Sequence, residues 1–96
     1  MAMQMFDLTG RRALVTGSSQ GIGLALAKGL AAAGAQIVLN GRDQARLDTA
    51  ARQIKGAQTL AFDATDHAAV RAAVDGFEQT HGPIDILVNN AGIQHR

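Results

Sequence analysis

The 96-residue chain has no cysteine, no tryptophan and no tyrosine, and one proline. Without cysteine there can be no disulfide and no thiol chemistry, a composition compatible with a reducing cytoplasm, where the protein is expected. Long hydrophobic runs are also lacking. Apolar stretches reach only about five residues, far below the length of a membrane span, so no membrane partner is expected. Residues 1–6 carry no charged segment and no long apolar stretch, so no signal peptide is expected. An excess of one charge is missing too. Nine Lys and Arg stand against eight Asp and Glu, a net charge of +1. They are scattered without a basic stripe, which speaks against a nucleic-acid surface. The three histidines, His67, His81 and His95, are dispersed and have no ligand partners nearby in sequence, so no metal site is expected.

What is present is ordinary for one small globular domain: 47% hydrophobic residues, 18% charged and a mean hydropathy of +0.03. Glycine is abundant, with 11 copies. Short apolar runs alternate with helical periods. Residues 12–16 read as a strand ending at Gly17. From residue 22 to 33, Ile22, Leu26 and Leu30 recur every four positions and mark one helix face, with Gly34 as the stop. Residues 36–40 form a second strand. Asp43 is placed to cap a second helix, whose face carries Leu47, Ala50, Ala51 and Ile54 and which stops at Gly56. Residues 59–62 form a third strand. Asp66 caps a third helix, with Val70, Ala73, Val74 and Phe77 on one face, ended by Gly82-Pro83. Residues 84–88 are apolar apart from Asp85, as a strand covered on both faces should be.

Such alternation predicts an α/β fold of the Rossmann type, with a parallel sheet and right-handed crossovers. Strands 1, 2 and 3 step outward with two helices on one face. Strand 4 is reached across the other face and lies beside strand 1. The predicted order is 3-2-1-4, truncated after the fourth strand, with residues 1–96 as the N-terminal part of a dinucleotide-binding domain. Ligands are then expected at the switch point between strands 1 and 4, outside the carboxyl ends of the strands.

The loop at that point reads Thr16-Gly17-Ser18-Ser19-Gln20-Gly21-Ile22-Gly23. A backbone with φ > 0 at Gly17 costs a residue with a side chain roughly 1–2 kcal/mol. Gly21, lacking a Cβ, admits a pyrophosphate, and Gly23 lets the helix lie close to the strand. The helix N-terminus offers free N–H groups and the positive end of its dipole. Ser18 and Ser19 add hydroxyl donors. The spacing is one residue longer between its first two glycines than the common dinucleotide fingerprint.

This run resembles the Thr-Gly-x-x-x-Gly-x-Gly signature of the short-chain dehydrogenases/reductases. Asn89-Asn90-Ala91-Gly92 resembles the second signature of that family, at the usual separation, and the resemblance covers essentially the whole chain. It implies nucleotide binding by Gly17, Ser18, Ser19, Gln20, Gly21, Ile22 and Gly23, with Asn90, Ala91 and Gly92 lining the cofactor. Asp63 stands where the family has an adenine-contacting aspartate. Asn89 is expected to tie strand 4 to the neighbouring loops.

Dinucleotide folds specific for NAD usually carry an acid at the end of strand 2. Here that position, seventeen residues beyond Gly23, is Asn40, followed by Gly41 and Arg42. A guanidinium stands where it can hold a 2′-phosphate and no carboxylate stands where it would repel one. NADP is therefore the expected cofactor, with NAD second. Asp43 is adjacent, and Gln20 occupies a position where many NADP-using members carry a basic residue.

Catalysis in the family resembles general acid–base chemistry by a Tyr-x-x-x-Lys pair. This chain has no tyrosine, and Lys28 and Lys55 fall in the first two helices, so no catalytic residue is assigned. The end at Gln94-His95-Arg96, directly after a strand, is expected to be a truncation. The stretch from 82 to 96 resembles members acting on sugar acids of the gluconate type, where Arg96 could pair with the substrate carboxylate. The expected parent is an NADP-dependent oxidoreductase of a small-molecule secondary alcohol or ketone, homo-oligomeric (tetrameric) as the family commonly is. The alternatives are a non-catalytic nucleotide-binding chain, a 3-oxoacyl reductase of the same family, or a Rossmann-like methyltransferase. Strand 4 as an open edge makes the isolated chain prone to self-association.

Overall fold

Strands 1 and 2 are apolar at consecutive positions because helices cover both of their faces. The structure, a computed structural model, describes residues 7–91. In chain order its elements are β1 (Arg12–Val15), α1 (Gly21–Ala32), β2 (Gln36–Gly41), α2 (Gln44–Ala51), β3 (Gln58–Ala61), α3 (His67–His81) and β4 (Ile86–Val88). All pairings are parallel, in the order β3-β2-β1-β4. The expected fold class, strand order and switch point are those observed.

The two sheet faces have separate cores. On one, Ala13 and Val15 of β1 and Ile37 and Leu39 of β2 meet Ala27 of α1 and Leu47 and Ala50 of α2. On the other, Leu14 and Val38 meet Phe77 of α3, with Val74 and Ile84 alongside. Side chains alternate between the faces along each strand, so one short apolar run feeds both cores. The Arg12 guanidinium lies 5.6 Å from the centre of the Phe77 ring and donates from Nη1 to the Pro83 carbonyl at 3.0 Å. Asp85, the polar interruption before β4, accepts from the Arg12 amide at 2.9 Å and so fixes the register of β4 against β1.

Five expectations are corrected, the last of them the cover of the fourth strand. The packing face of α1 is not Ile22-Leu26-Leu30. Its buried positions are Gly23 and Ala27, with Leu24, Leu30 and Ala31 packed alongside, while Ile22 is 67% and Leu26 41% exposed. Small residues let the helix axis approach the sheet, and this outweighs the larger side chains one position away. The second helix ends at Ala51, short of Ile54. The chain tightens there through Gln53 N to Ala50 O and Ile54 N to Ala51 O bonds, and the resulting turn still buries Ile54. The third strand begins and ends one residue earlier than the composition suggests. The fourth begins at Ile86, not Ile84, because the Ile84 amide donates to the Glu78 carboxylate at 2.7 Å instead of entering the sheet.

Among the described residues the fourth strand is also covered on one face only. Ile86 and Val88 pack on the α1 side, whereas Leu87, opposite Leu14, is 56% exposed. Among the described residues β4 pairs with β1 alone, so its outer edge offers free backbone groups beside an apolar side chain. Sedimentation of the 96-residue chain is expected to show concentration-dependent association, weakened by Leu87→Lys with the circular dichroism unchanged. A monomer at every concentration contradicts this.

Candidate nucleotide-binding site

The candidate site is built where β1 gives way to α1. Gly17 and Gly21 both take positive φ, 60° and 61°, and together they reverse the chain into the helix. At Gly23 the requirement is space: a Cβ there would overlap the Gly17 carbonyl and come within 2.7 Å of the Asn90 amide nitrogen. That nitrogen donates to the Gly17 carbonyl at 3.1 Å. Gly17, Gly23 and Asn90 therefore interlock, and any side chain at Gly23 would push α1 off the sheet.

The floor of the loop is made by β2. Asn40, 1% exposed, uses its side chain completely. Its Oδ1 accepts from the Gly17 amide at 3.0 Å, and its Nδ2 donates to the Leu60 and Phe62 carbonyls at 3.0 and 3.1 Å. A primary amide accepts at its oxygen and donates twice from its nitrogen, which a carboxylate of the same shape cannot do. Ser18, fully buried, donates to the Val15 carbonyl at 2.6 Å and accepts from the Asn40 amide at 3.0 Å. Thr16 links β4: its Oγ1 accepts from Ala91 N at 3.0 Å and lies 3.3 Å from both the Val88 carbonyl and Asn89 Oδ1.

The three helices begin differently. Asp43 caps α2 by accepting from Ala45 N and Arg46 N, and Asp66 caps α3 by accepting from Ala68 N and Ala69 N. The residue preceding α1 is Gln20, whose side chain makes no cap bond. The first amides of α1 therefore lack a side-chain acceptor, beside glycines that keep the approach open. An uncapped end with its positive dipole is what an anion needs.

A cleft of about 150 Å³ lies next to this helix end, between the ends of β2 and β3. It is lined by Gly17, by Asn40, Gly41 and Arg42 at the end of β2, by Phe62 to Thr65 after β3, and by Ala91. Arg42 Nη2 approaches Asp63 Oδ1 at 3.4 Å across the opening, with both side chains well exposed. Asp63 closes a turn by accepting at Oδ1 from Thr65 N at 2.9 Å and Thr65 Oγ1 at 2.6 Å. The Thr65 hydroxyl and then its amide hold the Asp63 carboxyl below the ordinary aspartate range. Slight burial opposes them, and the Arg42 charge adds a smaller pull.

The structure brings Gly17, Ser18, Gly23, Asn40, Asn90 and Ala91 together at the loop, and Arg42 and Asp63 at the cleft beside it. Ser19 and Gln20 line a second hollow behind the loop, and exposed Ile22 stands in the first turn of α1. Gly92 lies outside the described residues, as does the expected substrate contact Arg96. The polar side-chain atoms of Ser18 and Asn40 are engaged with backbone, and Asn90 donates from Nδ2 to the Gly17 carbonyl, so these residues brace the cradle. Sequence reading missed Thr16, Thr65 and Arg46. The first two carry the motif-like pattern of a hydroxyl next to a turn. Arg46 has no local signal, since its contact with Gln20 spans 26 positions.

The sequence profile described as short chain dehydrogenase matches residues 11–96. The chain belongs to the short chain dehydrogenase family. Among curated members of the family, gluconate 5-dehydrogenase of Gluconobacter oxydans is 55% identical over 96% of this chain and 38% of its own length. 5-Keto-D-gluconate 5-reductase of Escherichia coli is 46% identical over the same shares. The crystal structure of a gluconate 5-dehydrogenase from Burkholderia cenocepacia in complex with NADP and tartrate superposes with a TM-score of 0.88 at 55% identity. It is matched by all of this chain over 39% of its own. This short chain dehydrogenase chain thus spans about two fifths of the length of the relatives it matches. No helix among its described residues is long and apolar enough to cross a membrane.

Two expectations follow from the cradle. Asn40→Asp sets a buried carboxylate against the Leu60 and Phe62 carbonyls and leaves both without a donor. The expected loss is roughly 3 kcal/mol of stability by urea unfolding, with no gain in NADH affinity. For Asp63, a folded pKa below the unfolded one means that the stabilisation is present above the unfolded value and is lost as pH falls through the folded value. Thr65→Val should therefore raise the Asp63 pKa toward the ordinary aspartate value. Carboxyl-carbon NMR titration reads this, and an unmoved midpoint contradicts it.

Proposed function

We propose that this chain is the NADP-binding part of an oxidoreductase that interconverts a secondary alcohol and a ketone on a sugar acid of the gluconate type. The observation that carries the reading is the uncapped start of α1 beside Gly17 and Gly21, with an exposed guanidinium and no free carboxylate at the end of β2.

The α1 amides from Gly21 to Gly23 would hold the diphosphate, with Ser19 and Gln20 at its edge. Arg42 would hold the 2′-phosphate through paired N–H donors. Asp63 makes its three contacts through Oδ1, leaving Oδ2 for the adenine amino group. Asn90, Ala91 and Gly92 would run along the ribose and nicotinamide, with Ile22 as an apolar wall. The chemistry such a cofactor supplies is hydride exchange with the carbinol carbon. The acid–base tyrosine implied by the family is absent from these 96 residues. The chain taken alone therefore binds nucleotide and does not turn substrate over.

The substrate class rests on the relatives named for gluconate and 5-ketogluconate. A second reading has one specific support: a 3-oxoacyl (acyl-carrier-protein) reductase of Agrobacterium tumefaciens with NADP bound superposes with a TM-score of 0.83 at 40% identity.

Calorimetric titration of the chain with NADPH and NADH tests the cofactor assignment. NADPH should bind more tightly. Arg42→Ala should remove about 1.5–3 kcal/mol of that binding, roughly ten- to hundredfold, and leave NADH nearly unchanged. Equal affinity for the two, or no binding at millimolar ligand, overturns the reading. In a polypeptide extended to the length of the relatives, NADP-dependent oxidation of gluconate but not of a 3-hydroxyacyl thioester decides the substrate class.

A further inference from the structure

A second guanidinium stands behind the glycine loop and has no part in the assignment above. Arg46 lies in the first turn of α2. Its Nη1 reaches the Gln20 side-chain carbonyl at 3.5 Å, and its Nε lies 3.8 Å from Asp43 Oδ2. These contacts draw the side chain off the α2 surface and over the tip of the glycine loop. Beneath it is a hollow of about 340 Å³ lined by Ser19, Gln20, Ala45, Arg46 and Thr49. Ser19 lines this hollow with Arg46, and its Oγ lies 3.3 Å from where a Cβ on Gly41, the chain neighbour of Arg42, would sit. Ser19 on Gly41 thus makes a low ridge common to the surroundings of both cationic side chains.

We infer that Arg46 is a second specificity-determining residue for a ribose 2′-phosphate monoester, acting with Arg42 across the Ser19–Gly41 ridge. This rests on the cofactor reading above and adds a residue and an occupant for the second hollow. A phosphate monoester carries close to two negative charges and three acceptor oxygens at neutral pH. One guanidinium satisfies two oxygens in a fork, and a second donor from the other side takes up the remaining oxygen and charge. Asp43, the nearby carboxylate, does not cancel the site. Its Oδ1 is committed to the Ala45 and Arg46 amides at the start of α2, and its charge is offset by that helix end and by Arg46 itself. Gln20 positions Arg46 by accepting from it without contributing a competing charge. Arg46 is largely exposed, so its effect is smaller than that of a buried pair and falls with salt.

The test uses the chain with two probes, adenosine 2′,5′-bisphosphate and AMP, titrated by calorimetry at low salt. Arg46→Ala is expected to weaken the bisphosphate roughly three- to tenfold and AMP by less than about twofold. Arg46→Lys, which keeps the charge but loses the fork, should recover part of the loss. Unchanged bisphosphate binding in Arg46→Ala, with a loss in a parallel Arg42→Ala variant, overturns the role of Arg46 and leaves the cofactor reading intact. An equal loss for both probes also overturns it, because a general disturbance of the loop does not depend on the 2′-phosphate. A parent chain that does not distinguish the two probes overturns the cofactor reading, and this inference with it.

Discussion

The side-chain amide of Asn40 is the constraint on which the site depends. It joins β2 to two segments distant in sequence: the start of the glycine loop at Gly17, and the end of β3 with the residue just past it, through the Leu60 and Phe62 carbonyls. Ser18 adds a second tie to the same residue: its hydroxyl oxygen accepts from the Asn40 backbone N–H. The loop is thereby held in an open turn without help from any group that would have to face a ligand. The same bonding explains why the end of β2 has no acid. A carboxylate can accept from Gly17 but has no proton for the two carbonyls. In this chain the residue that sequence reading weighs for cofactor choice therefore also braces the glycine loop.

The division of labour between helices follows from elementary electrostatics. Each helix begins with amides that lack an intrahelical partner. Two of the three recruit an aspartate and are neutralised from within, and they stand away from the switch point. The remaining helix starts at the switch point with glycines and a glutamine that does not cap. Its first amides are left without a side-chain acceptor, so they are open to an anion, and an anion held there would stabilise the fold by mass action.

Much of the architecture could be read from the chain. The alternation of period-two and period-3.6 segments located every strand and helix, and the Asp43 and Asp66 caps are in place with the expected bonds. The direction of crossover fixed the order of the strands. The errors share a cause. On α1, Ile22 and Leu26 dominate any hydropathy pattern, yet Gly23 and Ala27 face the sheet because closeness of approach decides packing there. At Leu87 an apolar run implied two covered faces, whereas only one is covered among the described residues. At the site, the residue types were readable but their orientation was not. Ser18 and Asn40 look like ligand donors in a linear motif and turn out to brace the backbone. Arg46 was invisible because its neighbour Gln20 is close only after α2 folds back beside the loop.

The interlock of Gly17, Gly23 and Asn90 has one more effect. Asn90 lies two residues past the end of a strand only three residues long, which among the described residues has one neighbour in the sheet. Whatever stiffens the glycine loop also stiffens the tether of that strand, since the Gly17 carbonyl is an anchor for both. A ligand that favours the ordered glycine loop would through the Asn90–Gly17 bond also favour the docked β4, and a neighbour paired along β4 would in turn favour the ordered loop.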